Sequence, residues 1–138
     1  MLKALIVAHG DLSKALLQTV EKLTGPQTGV GTLSNEGCDL PELLSKIEAA
    51  AAELGPGPVV VFADLFGGSC AQATRAALLH QPDWRLVTGV NVPMLVNFFQ
   101  NRELLGLDEA VSALVVRGRD GVKSFPEQGH GLAPGKTG

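Results

Sequence analysis

Short apolar runs alternate with amphipathic stretches along the chain. Ala4-Leu-Ile-Val-Ala8 and Val59-Val-Val-Phe-Ala63 are continuous apolar runs of strand length, the pattern of parallel strands covered on both faces. After the first run, Leu12, Leu16, Val20 and Leu23 recur at helical spacing, with Asp11 or Ser13 available as N-cap, until Gly25-Pro26 ends the pattern. A weaker strand follows at Val30 to Leu33. Asp39-Leu-Pro-Glu42 then combines an acidic cap, a first-turn proline and a glutamate at the capping-box position, which predicts a helix start. Its apolar stripe is Leu40, Leu43, Leu44, Ile47, Ala51 and Leu54, and Gly55-Pro-Gly-Pro58 ends it before the Val59 run.

Beyond Gly67-Gly68-Ser69, an Ala-rich segment to about Leu79 reads as a third helix and Arg85 to Thr88 as a fourth strand. Gly89-Val-Asn-Val-Pro93 reads as the exit loop of that strand and Met94 to Gln100 as helical. Leu107 to about Val116 predicts a further helix, and Gly121-Val-Lys-Ser-Phe125 a short edge strand. Strands alternating with helices, without tight hairpin signals, imply right-handed crossovers. The expected class is α/β, a doubly wound, mostly parallel sheet with helices on both faces and a short C-terminal edge strand.

The 138 residues suffice for one hydrophobic core. Residues 1–125 are assigned to a single domain. Residues 126–138 have little to bury and four glycines to order, so a flexible tail is expected there, with His130 outside any catalytic arrangement. No apolar run reaches the roughly 20 residues that span a bilayer, and Leu2 to Ala8 is short for a signal peptide; a cytoplasmic location is expected. The net charge of −3 includes no basic block, which argues against nucleic acid as a partner. Cys38 and Cys70 form no CxxC pair and sit in no His cluster, so two reduced thiols are expected, with no zinc site and no disulfide.

Candidate chemistry lies where the two apolar runs end. The first stops on His9-Gly10 and the second on Asp64, just before Gly67-Gly68-Ser69. In a parallel sheet the carboxyl ends of the strands share one edge, and ligands bind in the crevice there. Alone, a histidine in such a loop is more often a structural hydrogen-bonder, and a Gly-Gly pair only a turn; Asp64 and Ser69 are equally plausible as ordinary caps. Together they make a chemical set. An imidazole attacks phosphorus when one nitrogen is unprotonated and aimed outward, and a carboxylate on the other nitrogen fixes that tautomer and stabilises the charge that develops. A glycine-rich loop opening a helix supplies unobstructed amides, a favourable dipole and a hydroxyl to a phosphoryl group.

Four segments, Ile6-Val-Ala-His-Gly10, Asp64-Leu-Phe-Gly-Gly-Ser69, Gly89-Val-Asn-Val-Pro-Met-Leu95 and Gly118-Arg-Asp-Gly-Val-Lys123, carry a resemblance. From about Leu2 to Phe125 the chain resembles the enzyme IIA components of mannose-type bacterial phosphoenolpyruvate-dependent sugar phosphotransferase systems. The resemblance implies that His9 accepts a phosphoryl group from the phosphocarrier protein HPr and passes it to a IIB component, which phosphorylates the incoming sugar. It makes Asp64 the partner of that imidazole, and Ser69 with the Gly67 and Gly68 amides the phosphate pocket. It further implies a homodimer whose C-terminal strand, matched by Gly121 to Phe125, pairs across subunits. No cofactor or metal is called for, and the membrane is met only indirectly, through the transporter complex. The chain departs from the family's usual Pro-Phe-Asn with Cys70-Ala71-Gln72 after the Gly-Gly-Ser, which alters the pocket wall and bears on partner choice. No IIB domain is expected after the tail.

Two other readings stand beside this one. A phosphorylation-dependent regulatory module would keep the phosphohistidine and dispense with transport. A small tetrapyrrole metal chelatase would also place a histidine after the first strand, but it requires a second ligand histidine nearby. Only His80 and His130 are available for that role, and the Asp64 to Ser69 loop would then have no purpose.

Overall fold

The computed structural model describes residues 1–127. The flexible tail expected at 126–138, His130 included, lies outside the described residues apart from its first two. The strands are β1 (Lys3–Ala8), β2 (Val30–Ser34), β3 (Val59–Ala63) and β4 (Trp84–Thr88). Between and after them run α1 (Leu12–Thr24), α2 (Leu40–Glu53), α3 (Ser69–Leu78), α4 (Val92–Asn101) and α5 (Leu107–Asp120). All three strand pairings are parallel, in the order β2-β1-β3-β4.

The chain moves outward from β1 to β2, then back across β1 to β3 and on to β4. Right-handed crossovers in opposite directions put their helices on opposite faces, so α1 lies across the sheet from α2 and α3. The apolar runs follow from this. Ala4, Ile6, Val60 and Phe62 pack with Val20, Leu95, Phe98 and Leu114 on one face. Leu5, Val7, Val59 and Val61 pack with Leu43, Ile47, Ala73 and Ala77 on the other. Every residue of β3 is buried, because both of its faces are covered.

The capping box at α2 forms as its sequence predicts: the Glu42 amide donates to the Asp39 carboxylate at 2.8 Å, and the Asp39 amide donates to Glu42 at 2.9 Å. Asp39→Ala is therefore expected to cost about 1 kcal/mol of stability, read as a lower midpoint in urea unfolding with an unchanged slope.

Two expectations need correction. Gly121 to Phe125 is not a strand in the single chain: α5 continues to Asp120, and the segment beyond it is exposed, with Val122 78% and Phe125 83% accessible. A strand exists only where a neighbouring backbone pairs with it, and among the described residues no strand of this chain does so. Gly118, just beyond the helix end expected at about Val116, lies inside α5. It allows α5 to approach α4: a Cβ there would meet Met94 Cε at 2.7 Å and Met94 Cβ at 3.1 Å, and its carbonyl accepts from Asn91 Nδ2 at 3.0 Å. The second correction is smaller. Asn91 ends the exit loop as the N-cap of α4, accepting from the Met94 amide at 3.0 Å, and Pro93 already lies in the first helical turn.

Candidate functional site

Strands β1 and β3 are adjacent and parallel, with Val7 in register with Ala63. Their carboxyl ends therefore release His9 and Asp64 side by side, between the two strands at which the chain reverses direction across the sheet. One carboxylate oxygen of Asp64, Oδ2, accepts both the His9 backbone N–H at 3.0 Å and a hydrogen bond from His9 Nδ1 at 2.8 Å. A carboxylate that accepts from Nδ1 places the proton there and leaves the lone pair on Nε2. The His9 side chain is 45% exposed, whereas that of Asp64 is only 12% exposed. The carboxylate thus anchors from within, and the ring is presented to solvent.

Burial pushes the Asp64 carboxyl upward, but the His9 backbone N–H, the ring hydrogen bond and the imidazole charge together outweigh it and hold the group below its ordinary value. Asp64 therefore remains ionised at neutral pH.

The Asp64–Gly68 loop leads into α3, whose first ladder bond runs from the Gln72 amide to the Gly68 carbonyl at 3.0 Å. The amides before Gln72 thus precede the helical ladder and form the positive end of the helix dipole. Gly68 is the N-cap of α3, and Ser69, considered above as an ordinary cap, is its first residue. A Cβ at Gly68 would lie 3.2 Å from His9 Cε1 and 3.4 Å from Leu65 Cβ, so the loop backbone packs directly against the ring. At Gly67 the space is open. Gly68→Ala is expected to shift the ring off the Asp64 axis and slow any reaction at Nε2 by about tenfold, with the melting temperature close to wild type; rapid-quench labelling kinetics provide the measurement.

Three further neighbours complete this site: Cys70 and Gln72, from the segment expected to shape the pocket wall, and Asn35, which was not singled out from the sequence. Asn35, just past β2, donates from Nδ2 to Ser69 Oγ at 3.1 Å and bonds through its own amide to the Ala8 carbonyl at 3.2 Å. By filling an acceptor position on the hydroxyl, it leaves the Ser69 proton free to face a ligand. Gln72 reaches back to the Gly67 carbonyl at 3.4 Å. Cys70 is fully buried behind the pair, and burial, with the Asp64 charge beside it, pushes its thiol up to about 11. The signal for Asn35 was its place after a strand at the same sheet edge. His80 is exposed in the turn after α3, about 15 Å along the helix from the end that meets His9. Among the described residues no second histidine joins His9, which counts against the chelatase reading.

Residues 3–115 match the EIIA-man family model, described as PTS system fructose IIA component. Over 123 residues the chain is 34% identical to the PTS system mannose-specific EIIAB component of Escherichia coli (strain K12), a match covering 87% of this chain and 38% of that protein. The chain thus spans little more than a third of the length of the curated relatives it matches. In fold it is similar to the phosphotransferase system component EIIA from Streptococcus agalactiae, with a TM-score of 0.84 and 22% identity over 91% of this chain and 98% of that one. It is also similar to the mannose/sorbose specific IIA subunit from Enterococcus faecalis, with a TM-score of 0.76 and 23% identity over 91% of this chain and 96% of that one. The chain belongs to the EIIA-man family, the mannose-type IIA components of sugar phosphotransferase systems. No helix among the described residues is long and apolar enough to cross a membrane.

Proposed function

We propose that His9 is the phosphoryl-carrying residue of this IIA component, accepting the group from phospho-HPr and passing it to a IIB component in the cytoplasm. The observation that carries the reading is the double hold of Asp64 Oδ2 on the His9 amide and ring. The Nε2 lone pair attacks phosphorus in line as the bond to the donor's nitrogen breaks and that nitrogen leaves with the electron pair. The Nδ1 proton stays in its bond to Asp64, whose negative charge offsets the positive charge forming on the imidazole. The equatorial oxygens meet the Gly67 and Gly68 amides and the Ser69 hydroxyl at the start of α3. Transfer to the acceptor is the same step in reverse, and the scheme calls on no metal or cofactor.

An exposed ring suits exchange with another protein, and Leu65 and Phe66, 57% and 73% accessible, border it with apolar surface of the kind protein partners cover. The names of the relatives mention fructose, mannose and sorbose, which supports sugar choice lying outside this unit. A homodimer is part of the same reading. β4 is an edge strand, and a groove of about 450 Å³ beside it, lined by Leu86, Val87, Val111, Val115 and Val122, suits the exposed 122–125 segment of a second copy. Light scattering gives the mass in solution.

The test is incubation with phosphoenolpyruvate, enzyme I and HPr, followed by intact-mass analysis. A single acid-labile phosphoryl adduct is expected; no adduct with active donors would overturn the reading.

A further inference from the structure

Behind the His9–Asp64 pair lies a group that phosphoryl transfer leaves unused. Cys70 Sγ, a carboxylate oxygen of Asp64 and a ring nitrogen of His9 all lie within 4.8 Å of one another. Asp64 Oδ1 is buried and makes no hydrogen bond, so half of the carboxylate is uncommitted. Spacing along the sequence hides this cluster, because its ligands come from the end of β1, the end of β3 and the first turn of α3.

We propose that His9, Asp64 and Cys70 form a binding site for a zinc-type divalent ion, and that its occupation blocks phosphorylation of His9. One imidazole, one carboxylate and one thiolate make a three-ligand set of the zinc kind, with a fourth position left for water. Bond lengths of about 2.0–2.3 Å place tetrahedral ligands about 3.3–3.8 Å apart, so small side-chain rotations close the cluster around an ion. The exposed face of His9 supplies the entry path and the water position. Mg²⁺, which favours octahedral oxygen shells and keeps its own waters, is a poor match for a sulfur and nitrogen donor set.

Blocking follows from counting lone pairs. A neutral imidazole has one, and the metal takes it. If the ion binds Nε2, the attacking atom is covered; if it binds Nδ1, the ring proton moves to Nε2 and the nucleophile is lost. Binding also releases the Cys70 thiol proton to solvent, since a coordinating thiol is deprotonated.

Co²⁺ added to the metal-free protein is the first probe. A thiolate-to-cobalt charge-transfer band saturating at one ion per chain is expected, retained in Cys38→Ala and lost in both Cys70→Ala and Cys70→Ser, with circular dichroism confirming that each variant is folded. A missing band in the wild-type protein, or one that survives in folded Cys70 variants, would overturn the site. The second measurement rests on the phosphoryl-carrier reading and uses purified phospho-HPr, so that zinc acts on no upstream enzyme. Zn²⁺ should slow wild-type labelling by about tenfold or more, reversibly with EDTA, and affect the Cys70 variants much less relative to their own metal-free rates. Equal inhibition of wild type and variants would overturn the block. A cobalt band in a protein that phospho-HPr never labels would support the site and count against the carrier reading instead.

Discussion

His9→Ala is expected to abolish acid-labile labelling by phospho-HPr while leaving the thermal unfolding transition nearly unchanged. The ring is almost half exposed, so its removal leaves no large cavity. Asp64 also keeps one of its two donors, because the residue 9 backbone N–H survives the substitution. Loss of labelling with retained stability would separate the chemical role of the imidazole from any structural one. Full labelling of this variant would place the phosphoryl group on another side chain and refute the assignment of His9.

Asp64→Asn is expected to lower the labelling rate by about 10²–10⁴-fold, the range found when an orienting carboxylate is lost from an imidazole. An asparagine facing the ring with its oxygen keeps the geometry but removes the negative charge opposite the forming imidazolium. With its NH₂ facing the ring it turns Nδ1 into an acceptor, moves the proton to Nε2 and removes the nucleophile. Single-turnover kinetics at matched HPr concentrations read either loss; an unchanged rate would show that Asp64 does not serve the ring. The same variant tests the carboxyl shift. Asp64 is held below its ordinary value in the folded state, so it adds stability above the unfolded carboxyl value of about 4, and that stability disappears as pH falls through the lower folded value. Any advantage of wild type over Asp64→Asn in denaturant should therefore shrink on acidification below about pH 4.

Much of this arrangement was legible in the sequence, and what was missed shares one physical cause. β1, β3 and α2 could be read because local signals specify them: two fully apolar runs, and Asp39 and Glu42 three residues apart. His9 and Asp64 could be brought together because the parallel-sheet rule converts strand ends into neighbours. In α1 the stripe held only at its centre. Val20 is buried, but Leu12 and Leu23 are 42% and 64% accessible, and Ser13, offered as a cap, is buried and donates to the Leu33 carbonyl at 3.0 Å. The 121–125 segment, Gly118 and Asn35 were misread or passed over because each depends on a partner distant in sequence. A strand-length segment forms no strand without a neighbour, a glycine breaks no helix that needs it for close approach, and a cysteine's local spacing says nothing of what the fold sets beside it.

The strand order has a further bearing on how the protein loses function. β1 and β3 are the two interior strands, hydrogen-bonded on both sides, whereas among the described residues β2 and β4 each have an unpaired side. Fraying starts at borders, so partial openings that release β2 would carry Asn35 away from Ser69 and yet leave His9 and Asp64 in place. In hydrogen-exchange terms His9 and Asp64 would belong to the last cooperative unit to open and Asn35, which bonds the Ser69 hydroxyl, to an early one. Heat or mutation should then degrade the protein in two stages, first blunting phosphoryl binding and only with global unfolding erasing the nucleophile.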